Sequence, residues 1–301
     1  MSSHLQIILN KLEVHNPSHT AKLIKSLNTL GEDHALNANL FFSKYVAYLE
    51  KENKTIDFGI DCYLHMISDM LEQRLEFTRS GKYSNSSFAE VEKKVYKNPE
   101  VMTYHMHGLV LAQFLWIDQF ERFSFFSRNL KKYTSNASKY LEIGGGHGLY
   151  INEALNLLTE IKQFDLVDIS QSSLNLARGI IDSTKINYIL KNIFDFTDEH
   201  TYDFITIGEV LEHLEDPKAL LQKTARLLGS NGVSYITTPI NAPMIDHIYL
   251  FNNADEIRQL VSESGMEIIE EKIAVSDNES AAKAQKHSLP VMYAAFIKPK
   301  K

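Results

Sequence analysis

From Lys139 onward, short β-rich runs alternate with helical patterns, and this alternation constrains the fold more than any other feature of the chain. The strand-like runs are, in chain order, KYLEIG, QFDLVDIS, INYILKN, YDFITIGEV and VSYITTP. Amphipathic helical patterns such as LYINEALNLLT, SSLNLARGIID and PKALLQKTARLLG lie between most of them. The alternation predicts an α/β fold with a mostly parallel sheet and helices on both faces.

Two late runs depart from this alternation. The segments MEIIEEKIAV and SLPVMYAAFIKPK both resemble strands, and no clear helical pattern separates them. We therefore expect one of the two strands to run antiparallel to the others, at the edge of the sheet.

The chain before Tyr133 shows helical periodicity with almost no strand pattern. Asn98-Pro99-Glu100 is typical of a helix start, and the apolar stretch that follows predicts a single long helix from Glu100 to Leu130, buried between two domains. The segment TSNAS is the predicted linker. We thus predict an all-α N-terminal domain over residues 1–134, serving as cap, substrate lid or dimerisation surface, and a second domain over residues 135–301.

Composition narrows the classes of partner. The 301 residues carry a formal net charge of -7, whereas a nucleic-acid binder usually presents a basic face. No apolar run approaches the ~20 residues needed to cross a bilayer, and the N-terminus lacks the features of a secretory signal. The single cysteine, Cys62, excludes an intramolecular disulfide. We expect a cytoplasmic protein that acts on a small-molecule partner, with no nucleic acid or membrane partner, and that can form a homodimer through its N-terminal helices.

A glycine-rich turn, Gly144-Gly145-Gly146-His147-Gly148, follows the first strand and leads directly into a helix. Glycines let the backbone turn sharply and let a ligand approach closely. The acid Glu142 lies at the strand end, and Asp168 ends the next strand about twenty residues further on, where a carboxylate can accept hydrogen bonds from both hydroxyls of a ribose. The pattern predicts a Rossmann-like nucleotide site. The spacing is not G-x-G-x-x-G, which disfavours NAD, although NAD or another nucleotide remains the alternative.

The series LEIGGGHG, VDIS, KNIFDF, YDFITIGEVLEHLEDP and ITTP resembles the ordered motifs of the class I S-adenosylmethionine-dependent methyltransferases, roughly from Lys139 to the C-terminus. The resemblance implies that S-adenosyl-L-methionine is the cofactor. The cofactor-binding residues it implies are Glu142, Gly144, Gly146, Asp168, Ile169, Asn192, Ile193, Gly208 and Glu209.

By this resemblance the two glycines pass the methionine part of the cofactor, Glu142 lies near its amino group, Asp168 holds the ribose and Ile169 packs on adenine. Gly208 and Glu209 would lie beside the sulfonium. Asn192 and Ile193 stand where the family usually has an acid that binds the adenine amino group. Asparagine departs from that choice, but its carbonyl oxygen can accept the same hydrogen bond.

The segment Glu209-Val210-Leu211-Glu212-His213 combines two carboxylates and an imidazole. If it turns helical, Glu209, Glu212 and His213 share one face at i, i+3 and i+4, and Asp246-His247 could supply a fourth ligand. The element resembles the E-x-x-E-H motif of small-RNA 2′-O-methyltransferases and ubiquinone-pathway O-methyltransferases, which implies a Mg²⁺ or Mn²⁺ site made by Glu209, Glu212, His213 and His247. In the metal-free alternative His213 is the general base, His247 is the second choice, and Glu212 completes the catalytic set.

Tyr104, His105 and His107 lie on the predicted long helix and are candidate substrate-binding residues. Histidines two apart point to different helix faces, so both cannot easily line one site. The alternative is that these residues pack at a domain interface. The segment from Ser80 to Phe88 is either the tip of a lid or a simple loop.

These features together favour O-methylation of a small-molecule hydroxyl, on a metabolite, a sugar or a secondary product. Two alternatives stay open. One is an N-methyltransferase of an amine or a protein, which would tolerate the loss of His213. The other is a non-catalytic nucleotide-binding regulatory protein, against which the intact motif series argues. The acceptor itself is not predicted, because loops and a helical cap shape its site without a transferable code.

Overall fold

The computed structural model describes residues 3–197, 202–276 and 279–300. Residues 1–2, 198–201, 277–278 and 301 of the two predicted domain ranges lie outside the described residues. The α-helices in the described residues are α1 His4–His15, α2 Pro17–Leu27, α3 Glu32–Lys51, α4 Ile56–Ser80, α5 Phe88–Val91, α6 Pro99–Leu115, α7 Ile117–Tyr133, α8 Leu149–Leu157, α9 Gln171–Ile181, α10 Pro217–Leu227, α11 Ala254–Glu263 and α12 Ala281–His287. The strands are β1 Lys139–Ile143, β2 Gln163–Asp168, β3 Ile186–Leu190, β4 Tyr202–Gly208, β5 Leu228–Ile240, β6 Met266–Val275 and β7 Val291–Pro299.

The described strands form a seven-stranded sheet in the order β3-β2-β1-β4-β5-β7-β6. Strands β1 to β5 pair in parallel, and β7 runs antiparallel to both β5 and β6. The predicted mostly parallel sheet, with a helical region before it, is confirmed. The strand order changes direction between β1 and β4. In parallel sheets of this kind, ligands bind in the crevice at the carboxyl ends of the strands on either side of such a point.

The prediction for the two late strands was wrong in two respects. The antiparallel strand is β7, and it lies inside the sheet between β5 and β6 rather than at the edge. The short helix α12 also separates the two strands. The physical reason is visible in the residues: Met292 to Ile297 are apolar and buried, which suits an interior strand, whereas β6 carries Glu267, Glu270, Glu271 and Lys272, and charged side chains protect an edge.

Side chains from the two faces of the sheet enter two different hydrophobic clusters. On β1, Tyr140 faces one cluster and Leu141 the other. Helices α10 and α11 cover the face of Leu141 through residues such as Leu221 and Ile257. The sheet face that carries Tyr140 packs against α8, α9 and the N-terminal helices, and their apolar side chains form one continuous cluster. The helical region is therefore packed on the sheet through a common core.

The predicted single helix from Glu100 to Leu130 is two helices, so that prediction was wrong. Trp116 has extended backbone angles (φ −107, ψ 128) and separates α6 from α7. Asp118 lies in the first turn of α7, where an acid is favoured by the helix dipole. The break lets α6 pack against α4 while α7 lies on β5, β6 and β7. Because α7 packs on the sheet, a domain division at residue 134 stays a prediction.

Within the described residues, none of the helices combines the length and the apolar character required to span a bilayer. The apolar helix α6 is instead buried by protein, with Val110, Leu111 and Phe114 almost fully enclosed. Its neighbours are other helices, chiefly α4, and its predicted place between two domains stays a prediction.

Candidate active site

The glycine-rich turn closes the end of β1 as expected. Gly144 and Gly146 have φ angles of 65° and 54°, a region that side chains other than glycine rarely adopt. A Cβ on Gly144 would lie 2.6 Å from the Cγ2 atom of Val210. A larger residue there would therefore both strain the backbone and collide with the segment after β4.

Asp168, at the end of β2, lies directly against this turn. The backbone N–H of Gly146 donates to Oδ2 of Asp168 over 3.2 Å, and that of Ser170 donates to Oδ1 over 2.8 Å. Burial raises the pKa of Asp168 to about 6, although these backbone hydrogen bonds oppose the shift. The turn and the carboxylate, which the sequence places some twenty residues apart, form one site.

The remaining predicted cofactor residues surround the same cavity. The Glu142 carboxyl group is buried, its Oε2 atom has no hydrogen-bond partner, and burial raises its pKa well above the usual range. Ile169 is exposed to the cavity and Ile193 is mostly buried beside it. The Asn192 side chain accepts a hydrogen bond from the backbone of Phe194 over 3.0 Å. Its carbonyl oxygen has a second lone pair that can accept another.

Glu209 takes a different position from the one expected for a metal ligand. It follows Gly208 with a φ of 55°, so the segment is not helical at this residue and the i, i+3, i+4 face does not form. Its carboxylate instead forms an ion pair with Arg122 of α7, a fully buried side chain. The prediction that Glu209 shares a ligand set with Glu212 and His213 therefore does not match this structure.

Glu212, His213 and His247 do come together. Ligand atoms of the three lie within 4.8 Å of one another, as the sole such His/Cys/Asp/Glu group found among the described residues. Oε1 of Glu212 is 3.7 Å from Nε2 of His213 and 3.9 Å from Nε2 of His247. Oε2 of Glu212 accepts a hydrogen bond from Thr238, while Oε1 is buried without a partner.

Backbone carbonyls orient both imidazoles. Nδ1 of His213 lies 3.0 Å from the carbonyl oxygen of Asp246, and Nδ1 of His247 lies 2.6 Å from that of Ala242. A carbonyl can only accept, so in the neutral form of each imidazole Nδ1 carries the proton and Nε2, on the side of Glu212, has the lone pair. Histidine ligands of metals are commonly oriented in this way.

Asp246 links these imidazoles to the helical region. Its Oδ2 atom lies 3.6 Å from Nδ1 of His213 and 3.6 Å from Nε2 of His105, and the hydroxyl of Tyr96 interacts with the same carboxylate. Burial alone would raise the pKa of Asp246, but His213 and His105 outweigh it and lower the pKa. Burial would lower the pKa of His213, and Asp246 and Glu212 reverse this and raise it.

Burial also shifts the pKa values of Glu212 and His247. It raises the pKa of Glu212 to about 8, an effect to which the charge of Glu209 adds. Burial, reinforced by the charge of His213, lowers the pKa of His247 to about 3. His247 is therefore a neutral imidazole at physiological pH, as a ligand or a proton acceptor must be.

The three candidate substrate residues of α6 diverge as the helix geometry requires. His105 reaches Asp246 and lines the cavity. His107 faces the helical region instead, where its Nδ1 is 2.7 Å from the hydroxyl of Tyr45. Tyr104 donates its hydroxyl to Asp69 over 2.6 Å. The structure thus brings His105 to the site, while His107 and Tyr104 serve packing and hydrogen bonding away from it.

One cavity of about 1100 Å³ joins the predicted cofactor residues to His105, His213, Asp246 and His247. It runs from the glycine turn and Asp168 past His213 and His247 to Trp116 and the N-terminal helices. In the segment from Ser80 to Phe88, Phe88 lines the cavity and Asn85 donates to the carbonyl oxygen of Ile245 over 2.7 Å.

Sequence reasoning missed Arg122 and Tyr96. Arg122 could have been noticed as a lone cation within the aromatic run FERFSFF, because a charge on a buried helix face requires a partner. Tyr96 lies in the π-helical turn Glu92–Tyr96, between α5 and α6. No local sequence pattern predicts that turn or the contact between Tyr96 and Asp246.

Comparison with known proteins agrees with the fold. The family described as a methyltransferase domain matches residues 141–234, from within β1 to within β5. A ubiquinone biosynthesis O-methyltransferase of Vibrio cholerae is 27% identical over 129 residues, which is 42% of this chain and 51% of that protein. The chain therefore spans about half the length of the curated relatives it matches.

Two solved structures have a similar fold. The mitomycin 7-O-methyltransferase MmcR gives a TM-score of 0.52 at 14% identity, covering 77% of this chain and 67% of that one. The plantazolicin methyltransferase BpumL, solved in complex with SAH, gives 0.50 at 16% identity, covering 77% and 99%. At such identities the similarity establishes the fold alone.

Proposed function

We propose that this chain, a member of the class I S-adenosylmethionine-dependent methyltransferases, transfers the sulfonium methyl group of that cofactor to a hydroxyl group of a small molecule. One observation carries the proposal. A single cavity connects the turn at Gly144 and the carboxylate of Asp168 with the imidazoles of His213 and His247. A methyl donor and a hydroxyl acceptor bound there would lie side by side.

The cofactor end has the groups that such a molecule requires. The unpaired Oε2 of Glu142 can accept from an ammonium group, and both oxygens of Asp168 can accept from ribose hydroxyls. Asp168 is already fixed by two backbone N–H groups, so little reorganisation accompanies binding. Ile169 offers an apolar surface for a base, and Asn192 an additional acceptor.

Methyl transfer from a sulfonium is an in-line displacement, in which the protein aligns the nucleophile, takes up its proton and excludes water. The Nε2 atom of His213 is unprotonated in the tautomer that the Asp246 carbonyl selects. It can accept the proton of an acceptor hydroxyl, and the nearby Asp246 carboxylate stabilises the imidazolium that results. An amine acceptor would not need this arrangement.

We further propose that Glu212, His213 and His247 can hold Mg²⁺ or Mn²⁺. Three features support this: their mutual distances, the Nε2 lone pairs directed at one point, and the Oε1 atom of Glu212 that is buried without a partner. A divalent cation there would polarise the acceptor hydroxyl and make it a stronger acid. Glu209 contributes to the cofactor end rather than to this set, because Arg122 engages its carboxylate.

The first experiment is calorimetry with S-adenosylhomocysteine and, separately, with NADH. We expect micromolar binding of the former and none of the latter. Binding of NADH alone would contradict the proposal.

A methyl-transfer screen across phenols, sugars and amines then tests the acceptor. Transfer to hydroxyls supports the proposal. Transfer to amines alone, with full turnover in His213→Gln, would indicate the N-methyltransferase alternative. Cofactor binding with no transfer to any class would indicate a regulatory protein.

The cation is tested by exhaustive chelation followed by return of Mg²⁺ or Mn²⁺. We expect turnover to fall and then recover, and Mn²⁺ binding, followed by its spin resonance, to be lost in His247→Ala. Turnover that survives chelation and does not rise with either cation would remove the metal and leave His213 as the base.

A further inference from the structure

The segment from Ser80 to Phe88 is anchored to the loop that carries His247. We call that loop, residues 241–247, the histidine loop; it follows β5 directly. Residues 81–87 form neither helix nor strand, yet the side chains of Tyr83 and Asn85 are buried. Both form hydrogen bonds with the backbone of the histidine loop, as buried polar groups require. The segment is therefore part of the support of this loop.

One peptide group of the histidine loop is held on both of its sides. The carbonyl oxygen of Asn241 accepts a hydrogen bond from Nη1 of Arg74, on α4, over 3.2 Å. The N–H of Ala242 belongs to the same peptide group and donates to the hydroxyl of Tyr83 over 3.2 Å. Asn241 itself has a φ of 52°, a conformation that asparagine adopts more readily than most residues. The two hydrogen bonds thus fix the peptide group that follows this left-handed residue.

The next carbonyl along the chain orients His247. The carbonyl oxygen of Ala242 lies 2.6 Å from Nδ1 of His247. Pro243 follows Ala242, and its ring restricts the backbone of the residue before it. The Nε2 atom of His247 lies 3.9 Å from Oε1 of Glu212. A series of contacts therefore leads from the Tyr83 hydroxyl through Ala242 to the imidazole beside Glu212.

The ring of Tyr83 packs independently of its hydroxyl. Its centroid lies 5.7 Å from that of Phe77 and 5.7 Å from that of His247. Burial raises the pKa of the Tyr83 hydroxyl, so this group is neutral at physiological pH. Tyr83→Phe therefore keeps the ring contacts and leaves the buried N–H of Ala242 without the hydroxyl that accepts its hydrogen bond.

Tyr83 is not among the described residues that line the cavity. Loss of its hydroxyl therefore removes no direct contact with a cofactor or an acceptor bound there. Any effect of this loss on the site has to pass through the histidine loop.

We propose that Tyr83 is a positioning residue for His247. By holding the N–H of Ala242, its hydroxyl fixes the carbonyl that keeps the imidazole proton on Nδ1 and leaves the Nε2 lone pair on the side of Glu212. Groups that orient metal-binding histidines alter metal affinity without touching the metal, and Tyr83 acts one step further out, through the backbone. The inference deepens the proposed function and rests on the role proposed there for His247.

The first test measures the tautomer of His247 and needs neither cofactor nor metal. Protein labelled with ¹⁵N-histidine is studied by NMR at neutral pH, and His247→Ala assigns the signals of this imidazole. We expect the parent protein to carry the proton on Nδ1. In Tyr83→Phe part of the proton should move to Nε2, where the Oε1 atom of Glu212 has no other hydrogen-bond partner, and the two ring-nitrogen signals should move toward each other.

Tyr133→Phe is the matched control. The Tyr133 hydroxyl donates to Glu270 over 2.7 Å, so this variant also removes one hydrogen-bonded phenol hydroxyl, but at the end of α7 rather than beside the histidine loop. Its His247 signals should match those of the parent protein. Identical His247 signals in Tyr83→Phe and the parent protein would overturn the proposal.

The second test is titration of the metal-free protein with Mn²⁺, followed by spin resonance. We expect the dissociation constant of Tyr83→Phe to rise on the order of 10-fold, at the lower end of the effect of groups that orient histidine ligands. Tyr133→Phe should bind as the parent protein does. Parent-like affinity in Tyr83→Phe would contradict the proposal.

Turnover separates positioning from a general loss of structure. Tyr83→Phe should lower kcat about 10-fold and leave the affinity for S-adenosylhomocysteine, measured by calorimetry, unchanged. In a His247→Ala background the same substitution should lower the residual kcat no further, because the hydroxyl acts through His247. Additive losses would show that Tyr83 has a structural role only.

The outcomes distinguish this inference from the proposed function. If S-adenosylhomocysteine does not bind, or the parent protein does not bind Mn²⁺, the corresponding part of the proposed function fails, and the tautomer of His247 still decides the role of Tyr83. If the tautomer does not respond to Tyr83→Phe, the inference is wrong and the methyltransferase proposal stands.

Discussion

The two ends of the cavity are built by different means. The cofactor end consists mainly of backbone from a short stretch of chain, with the turn at Gly144 to Gly148 and Asp168 joined by main-chain hydrogen bonds. The acceptor end consists of side chains from distant segments, in which Asp246 meets Tyr96 and His105 across the interface between the helices and the sheet. A site made by local backbone can be read from a motif, whereas a site assembled from many segments cannot.

The sharpest way to separate the two ends is His213→Gln. Because we propose that His213 acts at the acceptor end, as base or as metal ligand, we expect kcat to fall on the order of 10²–10⁴-fold. Calorimetry should show unchanged binding of S-adenosylhomocysteine. The control His15→Gln removes an exposed imidazole at the end of α1 and should leave kcat intact. A loss of cofactor affinity in His213→Gln would mean that the two ends are not independent.

Asp168→Ala is the complementary change. Two hydrogen bonds from ribose hydroxyls to a carboxylate contribute about 1.5–3 kcal/mol each, so the dissociation constant for S-adenosylhomocysteine should rise on the order of 10²–10⁴-fold. Calorimetry measures it directly. The control is Asp182→Ala, since Asp182 is an exposed acid that pairs with Lys51 on the surface. A parent-like affinity would mean that the ribose does not lie at Asp168.

The contact between Arg122 and Glu209 joins the helices to the cofactor end, and its removal tests whether the two regions are coupled. Arg122→Met leaves Glu209 without its partner, and we expect the free energy of unfolding in urea to fall by about 3 kcal/mol. The double variant with Glu209→Gln should recover part of this loss, because neither charge then lacks a partner. Strictly additive losses would show that the pair is not coupled.

The smallest expected effect concerns pH. Burial raises the pKa of Asp168 to about 6, so its carboxylate is ionised above that pH and protonated below it. Ribose hydroxyls donate to the ionised form, and affinity for S-adenosylhomocysteine should therefore be level above about pH 6 and fall about tenfold per pH unit below it. Asp168→Asn should flatten the profile. A profile that stays flat in the parent protein would contradict the raised pKa.

The sequence predicted the fold and the proximity of the glycine-rich turn to Asp168 because both depend on local patterns. Strand and helix periodicity identified the seven described strands, and the spacing from Gly144 to Asp168 placed the two together. The partner of Glu209 and the division of the predicted long helix depended on backbone angles that periodicity does not encode. The positive φ of Glu209 turned it toward Arg122, and the extended backbone at Trp116 divided a stretch whose apolar pattern is continuous.

The histidines of α6 show where the limit lies. Helix geometry correctly indicated that His105 and His107 face different ways, but not which of them reaches the cavity. That choice depends on how α6 rotates against α4, where Gly108 meets Met66. Such a contact joins residues far apart in the chain, so no local pattern contains it.

The interior position of β7 has a consequence for how the chain folds. β7 is the last of the seven described strands along the chain, yet β5 and β6 both pair with it. During synthesis the edge of β5 therefore stays open, and β6 has no neighbour, until β7 has left the ribosome. Open strand edges have unpaired backbone N–H and C=O groups, which can pair with strands of other chains. We expect nascent chains that stop before β7 to aggregate, and chaperones to engage the protein late in its synthesis.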